Sequence, residues 1–227
     1  MAIASEVAVY NLALNAIGAR DNISLPTENS REAEVCRLWY SVVRDQILAG
    51  AFWPEATEIR YLSQLAEADA DGDGEWAHDD PRPGYSYVYD LPSDMLRPRY
   101  LTDFGHFLIT GYSGNRRALH TGGAAPALVY TKRLETISLW NPELQMAIVY
   151  GLAANICLPL TGKTSRAKLL LQQANDLVLS ARETAANTSA EMHESVPDWI
   201  AGRGYSTAAV TRFFYPYGGL LSLSSVN

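Results

Sequence analysis

Between two blocks of helical periodicity lies Gly84-Tyr85-Ser86-Tyr87-Val88-Tyr89-Asp90-Leu91-Pro92-Ser93-Asp94-Met95-Leu96-Arg97, and no other segment constrains the fold as much. Tyr85, Tyr87 and Tyr89 alternate, which predicts one strand with all three rings on one face. Pro92 has no amide hydrogen for a ladder and fixes its own φ, so the strand stops there; Ser93 and Asp94 supply the side-chain acceptors that favour a turn. A helical assembly built from this chain must make room for a sheet in its middle.

The helical blocks carry their own punctuation. Ser5 caps a first helix with Val7, Tyr10, Leu14 and Ile17 at three- and four-residue spacing, and Gly18 ends it. Asn29 with Glu32 reads as a capping pair opening a helix whose Val35, Leu38, Trp39 and Val42 form one stripe, ending near Gly50. Asn141-Pro142-Glu143 starts a third helix with Leu144, Ile148, Leu152 and Ile156, which Pro159 is expected to stop. Thr164 caps a fourth, with Leu170, Leu171, Ala174, Leu177, Val178 and Ala181 in register.

Burying the four large side chains of the Val35 stripe yields about 6 to 12 kcal/mol. Ordering the helix backbone costs roughly 1 to 2 kcal/mol per residue. Such a helix cannot stand alone, so the four are expected to share one core. Between them, Tyr85 to Leu91, Phe107 to Thr110, Arg117 to His120 and Leu128 to Arg133 have period-two character, separated by Gly111, Gly114, Gly122, Gly123 and Pro126. The predicted fold is mainly α: a four-helix bundle with an inserted small antiparallel β-rich region and an extended C-terminal tail. Residues 1–66 and 138–190 would form the discontinuous bundle, 67–137 the insertion with an acidic loop, and 191–227 a docking tail.

At 227 residues and 48% hydrophobic content the chain has ample material for a core. No apolar run is expected to reach the roughly 20 residues that cross a bilayer, and the N-terminus lacks a basic region followed by an apolar stretch. A product made in a cytoplasm, with no membrane partner, is the expectation. Cys36 and Cys157 each sit in a helical pattern and read as buried thiols rather than a disulfide. The net charge of -7 argues against a protein whose main task is to grip nucleic acid. Of 18 basic residues 15 are arginine, a bias that suits bidentate pairing at interfaces.

The sharpest metal signal is the acidic segment from Asp69 to Asp80. Asp69, Asp71 and Asp73 stand at calcium-loop positions one, three and five, Gly74 at six and Asp80 at twelve. Asp80 is shorter than the usual glutamate and Pro81 disfavours helix there, so a solvated acidic loop is the preferred reading. Gly162-Lys163-Thr164 lacks the earlier glycine of a phosphate-binding loop, and Gly111-Tyr112-Ser113-Gly114-Asn115 misses the final glycine of a nucleophile elbow. His78, His106, His120 and His193 have no paired ligand spacing. No enzyme and no cofactor are predicted. The tail run Arg212-Phe213-Phe214-Tyr215-Pro216-Tyr217 is aromatic, with no charge after Arg212, and reads as an anchor for another protein.

Several of these pieces stand together in the order found in the tail tubular protein A family, the head-to-tail adaptors of short-tailed bacteriophages. They are the Leu12, Leu14, Ile17, Gly18 helix; Cys36-Arg37-Leu38-Trp39-Tyr40; Phe52-Trp53-Pro54; Tyr87-Val88-Tyr89-Asp90-Leu91-Pro92; Tyr130; and Leu158-Pro159-Leu160-Thr161-Gly162. The chain resembles that family over roughly its first 185 residues, whereas the acidic segment and the tail after Asn187 fit it poorly. The resemblance implies a virion protein that forms a dodecameric ring beneath the portal, receives the nozzle below and extends the DNA channel without sequence-specific binding. Arg97, Arg99, Arg116 and Arg117 are then candidate interface charges, with Phe213, Phe214, Tyr215 and Tyr217 as candidate anchors. The alternative is a monomeric calcium- or small-ligand-binding module.

Overall fold

In the computed structural model, residues 3, 5–19, 21–68, 85–112 and 116–188 are described. Helix α1 (Glu6–Ile17) begins where the Ser5 side chain accepts from the Ala8 amide at 3.2 Å, and ends at Gly18 with φ 78°. Helix α2 (Arg31–Gly50) is capped by Ser30, which accepts from the Ala33 amide at 3.3 Å, one residue beyond the expected Asn29. Helix α3 (Pro142–Thr161) opens on Asn141, whose side chain accepts from the Leu144 amide at 2.7 Å. Pro159 does not stop α3, which runs to Thr161 and turns at Gly162 with φ 68°. A proline this close to the end removes one late amide bond. The local carbonyls find other donors: Thr161 Oγ1 donates to Cys157 at 2.7 Å, and Arg31 donates to Pro159 at 2.8 Å. Helix α4 spans Thr164–Thr188.

The core gathers around α3, which packs against both α1 and α2. Close approach to α2 requires Gly151, since a Cβ there would lie 2.7 Å from Ile47 Cδ1 and 2.9 Å from Val43 Cγ1. Against the sequence expectation, α3 is long and apolar enough to cross a membrane by length and composition, with mean hydropathy 1.5 over its most apolar window. Its position explains that composition: a helix enclosed by two others is apolar nearly all round. α4 adds only a narrow seam, burying Leu170, Ala174 and Ala181 and half-burying Leu177 and Val178.

The strands are β1 (Thr57–Tyr61), β2 (Gln64–Glu67), β3 (Tyr87–Asp90), β4 (Met95–Leu101), β5 (Phe107–Tyr112), β6 (Arg116–Thr121) and β7 (Ala127–Lys132). They form two antiparallel sheets, ordered β1-β7-β4 and β2-β3-β6-β5. Leu101, Leu128 and Tyr130 of the first sheet share a buried cluster with Tyr89 and Leu119 of the second, so the sheets pack face to face. The opposite face of β7 buries Val129 and Thr131, and β4 and β7 contact α2. The order of layers is helices, three-stranded sheet, four-stranded sheet.

The tyrosine segment behaves in part as expected. Tyr87 and Tyr89 lie together, rings 6.2 Å apart, beside the inter-sheet cluster. Tyr85 precedes the paired strand, and its ring lies 6.4 Å from His120, which neighbours Leu119 and so points away from that cluster. Ladder pairing begins only at Tyr87, and alternation has no hold on residues before it.

The fold class needs correction. Among the described residues, four helices and seven strands in two sheets make the chain mixed α/β, not a mainly α four-helix bundle with a small insertion. The strands start at Thr57, ahead of the insertion expected from residue 67, because β1 pairs with β7, far along the chain. A five-residue strand whose partner is so distant leaves little local trace. The chain divides into two compact units, Met1–Ala181 and Arg182–Asn227. Of the second, the described part is the end of α4 up to Thr188.

Candidate functional site

The arginines predicted as interface charges divide into two kinds. Arg97 and Arg99, both on β4, reach to the C-terminal end of α2. Arg97 donates to the Ala49 carbonyl at 3.1 Å, while Arg99 donates to the Ala51 carbonyl and, at 2.8 Å, to Thr131 Oγ1. The Arg99 guanidinium also lies over the Phe52 ring at 5.7 Å. The last carbonyls of a helix lack internal partners and carry the negative end of its dipole, so cations there are favourable. Arg116 and Arg117 are exposed at the start of β6, opposite Tyr112 and Gly111. Asp69, Asp71, Asp73 and Asp80, like Phe213, Phe214, Tyr215 and Tyr217, lie outside the described residues.

The same device ends the other two helices of the core. Arg166 of α4 donates twice to the Ala16 carbonyl near the end of α1, at 2.9 and 2.6 Å, and Arg31 of α2 donates to Pro159 near the end of α3. Each guanidinium comes from a residue distant in sequence and fastens one element to another. Much of the arginine bias is therefore spent on internal joints. Nothing local in the sequence marks these pairs, since the acceptors are backbone carbonyls.

Several ionisable side chains elsewhere are also engaged. Arg44, buried on α2, pairs with Asp45 at 2.9 Å, and Asp45 accepts from Arg133 at 2.9 Å, joining α2 to the segment after β7. Lys132 pairs with Glu58 at 2.9 Å, and this bond, with a second from Arg60, holds the Glu58 carboxyl below its usual range. Tyr10 donates to Glu6, and burial followed by that bond raises its hydroxyl pKa well above the ordinary value. Burial pushes Tyr40 and Cys36 up to about 12. An open surface groove of 490 Å³ is lined by Ser93, Asp94, Lys132, Arg133, Glu135 and Leu139. Its basic side chains are held by Glu58 and Asp45, and Asp94 accepts from the Tyr130 hydroxyl at 3.2 Å. Among the described residues, no three of His, Cys, Asp and Glu gather as a metal site would require.

What stands out on the surface is apolar. The core face of α2 is Ala33, Cys36, Tyr40, Val43, Ile47 and Leu48, not the stripe expected from the sequence. At about 100° per residue, Leu38 and Val42 fall on the far side of the helix, while Val35 and Trp39 fall on its flanks. Leu38 is 69% and Val42 54% exposed, with Val35 and Trp39 half-buried at the edge of the core. The helix has two apolar faces, and periodicity alone cannot say which turns inward. A surface stripe at this spacing can receive an apolar partner.

Comparison with known proteins finds no family model that matches the chain and no similar protein among curated ones.

Proposed function

We propose that this chain is a structural subunit of a bacteriophage virion, a head-to-tail adaptor. Copies assemble as a dodecameric ring between the portal protein and the tail nozzle protein and extend the channel through which DNA passes. The observation that carries the reading is the apolar surface of α2 at Leu38 and Val42, on a body where Arg31, Arg97, Arg99, Arg133 and Arg166 are committed to internal joints. Such a body is fitted to be held by neighbours rather than to turn over a substrate. The ordered segments in which the chain resembles the adaptor family point the same way, and the net charge of -7 suits a channel that must not retain DNA.

The test is solution mass and electron microscopy of the full chain, alone and with the portal protein of the same genome. A ring on the portal is expected, and Leu38→Glu with Val42→Glu should abolish it while leaving the circular dichroism spectrum intact. A chain that remains monomeric beside an assembled portal would refute the proposal.

A further inference from the structure

Among the described residues the two sheets have four edge strands, and three of them are protected. β2 has a register break between Gln64 and Ala66, and β4 has two, one on each side of Arg97-Pro98. β1 carries Glu58 and Arg60, already paired with each other. Bulges, proline and charged side chains all turn an edge away from further pairing. β5 has none of these: it reads Phe-Leu-Ile-Thr-Gly-Tyr and runs in unbroken register against β6.

Hydrogen bonds fix which groups of β5 face outward. The Ala68 amide donates to the Ser86 carbonyl and the Asp90 amide to that of Ser63, so Tyr87 and Tyr89 are the β3 residues bonded to Thr121 and Leu119 of β6. Alternation then turns Leu108, Thr110 and Tyr112 towards β6, in keeping with the His106 carbonyl, which accepts from Thr121 Oγ1 at 3.0 Å. The amides and carbonyls of Phe107, Ile109 and Gly111 point away from the sheet, and among the described residues none of them has a hydrogen-bond partner. Leu108 is 48% exposed, Thr110 and Gly111 are exposed, and a Cβ at Gly111 would meet nothing within 4 Å.

We propose that β5 pairs antiparallel with β5 of a second copy of this chain, about a two-fold axis at Ile109, so that one sheet runs through both copies. Outward residues then meet outward residues: Ile109 faces the second copy's Ile109, and Phe107 faces its Gly111. Each such pair exchanges two backbone hydrogen bonds. The Phe107 ring, half-buried against the inter-sheet cluster, covers the open space beside the glycine, and an aromatic opposite an edge glycine stabilises the pairing. On the other face Leu108 lies opposite the second copy's Thr110. Only this register sets the whole of Phe107 to Gly111 against itself; a shift in either direction leaves outward groups at one end unpaired.

Charge favours a second β5 as the occupant. β5 has no charged side chain to answer one placed opposite it, and β1, β2 and β4 each bear at least one. The nearest exposed charges, Arg116 and Arg117, lie on β6. Arg117 stands beside Gly111, and Thr121 beside Phe107, so at ladder spacings the backbones of the two Arg117 residues lie about 20 Å apart, well beyond the screening length of about 8 Å. A two-fold contact closes on itself and yields a dimer rather than a filament. A ring about a single axis uses head-to-tail contacts instead, so this pair belongs to the free chain and does not rest on the adaptor reading.

The test uses the full-length chain without any portal protein. In sedimentation the mean mass should rise from one chain towards two with increasing concentration. Leu108→Lys, which places a charge at an exposed site on this edge, should remain at one chain with an unchanged circular dichroism spectrum. A wild-type mass of one chain throughout, or a Leu108→Lys mass equal to that of wild type, would overturn the proposal. Disulfide trapping reads the register. Opposed residues of a pair without mutual hydrogen bonds have Cα atoms about 4.5 Å apart, within disulfide range. The native Cys36 and Cys157 are buried, so introduced thiols are the reactive ones. Leu108→Cys and Thr110→Cys proteins, mixed and oxidised, should give a covalent dimer that neither gives alone. A dimer from either variant alone would mean another register, and none from the mixture would mean that the edges do not meet; both results overturn the proposal.

Discussion

Arg99 and Arg97 stand two residues apart on one strand and both bind the end of α2, yet replacing them should have unequal effects. Arg99→Ala removes a bond to Thr131, one to the Ala51 carbonyl and the stacking on Phe52. Thr131 is fully buried and Ala51 is 1% exposed, so neither acceptor is readily compensated by water. A hydrogen bond from a charged donor contributes about 1.5 to 3 kcal/mol and a cation over a ring about 0.5 to 1, and neighbouring contacts do not simply add. The expected loss is roughly 2 to 4 kcal/mol. Arg97 is exposed and makes its bond to Ala49 in reach of solvent, so Arg97→Ala should cost about 0.5 to 1 kcal/mol. Urea unfolding followed by tryptophan fluorescence, with an unchanged slope, reads both numbers. Arg99→Lys keeps the charge but cannot span both acceptors, so it should fall between wild type and alanine. Equal losses for Arg97→Ala and Arg99→Ala would refute the argument that burial of the acceptors, rather than charge at a helix end, decides the cost.

Gly151→Ala should destabilise the protein by about 1 to 2 kcal/mol despite the better helix propensity of alanine, because the new methyl meets Ile47 and Val43. Adding Ile47→Val removes the nearer atom, and thermal melts should then show partial recovery; additive losses would mean that the two helices do not touch there. Glu58 has a lowered carboxyl pKa, so its stabilising contribution is present above the unfolded-state pKa and lost as pH falls through the folded one. The difference in urea midpoint between wild type and Glu58→Gln should therefore shrink on acidification below the ordinary carboxylate range, and a constant difference would contradict the pairing with Lys132. Cys36, with its thiol pushed up to about 12 chiefly by burial, should resist a thiol reagent at neutral pH until the protein unfolds. Stoichiometric labelling of native protein would count against that placement.

Signals whose partners are near in sequence were legible. Ser5, Gly18 and Asn141-Pro142 each mark a helix end because a cap is a bond to an amide or carbonyl within a few residues. Ser30 in place of Asn29 is a slip of one position between adjacent cap formers. Pro159 misled because its penalty depends on how near the helix end it falls, and α3 ends only two residues later, at Thr161. As for the candidate surfaces, the alternation from Arg117 to His120 marks a strand, which opens one residue earlier, at Arg116. That Arg97 and Arg99 fasten a helix end was not visible, because carbonyl acceptors leave no mark in composition.

The sequence by itself determined where most elements begin and end, and that a sheet interrupts the helices, since caps, turns and short-range alternation are local chemistry. Tertiary structure alone decided which face of α2 is core. The core face is the one lined by Cys36, Tyr40, Val43 and Ile47, where Gly151 of α3 lets Val43 and Ile47 come close. It also decided that β1 pairs with β7 and that four arginines end three helices, for contacts between residues far apart along a chain depend on how the layers stack.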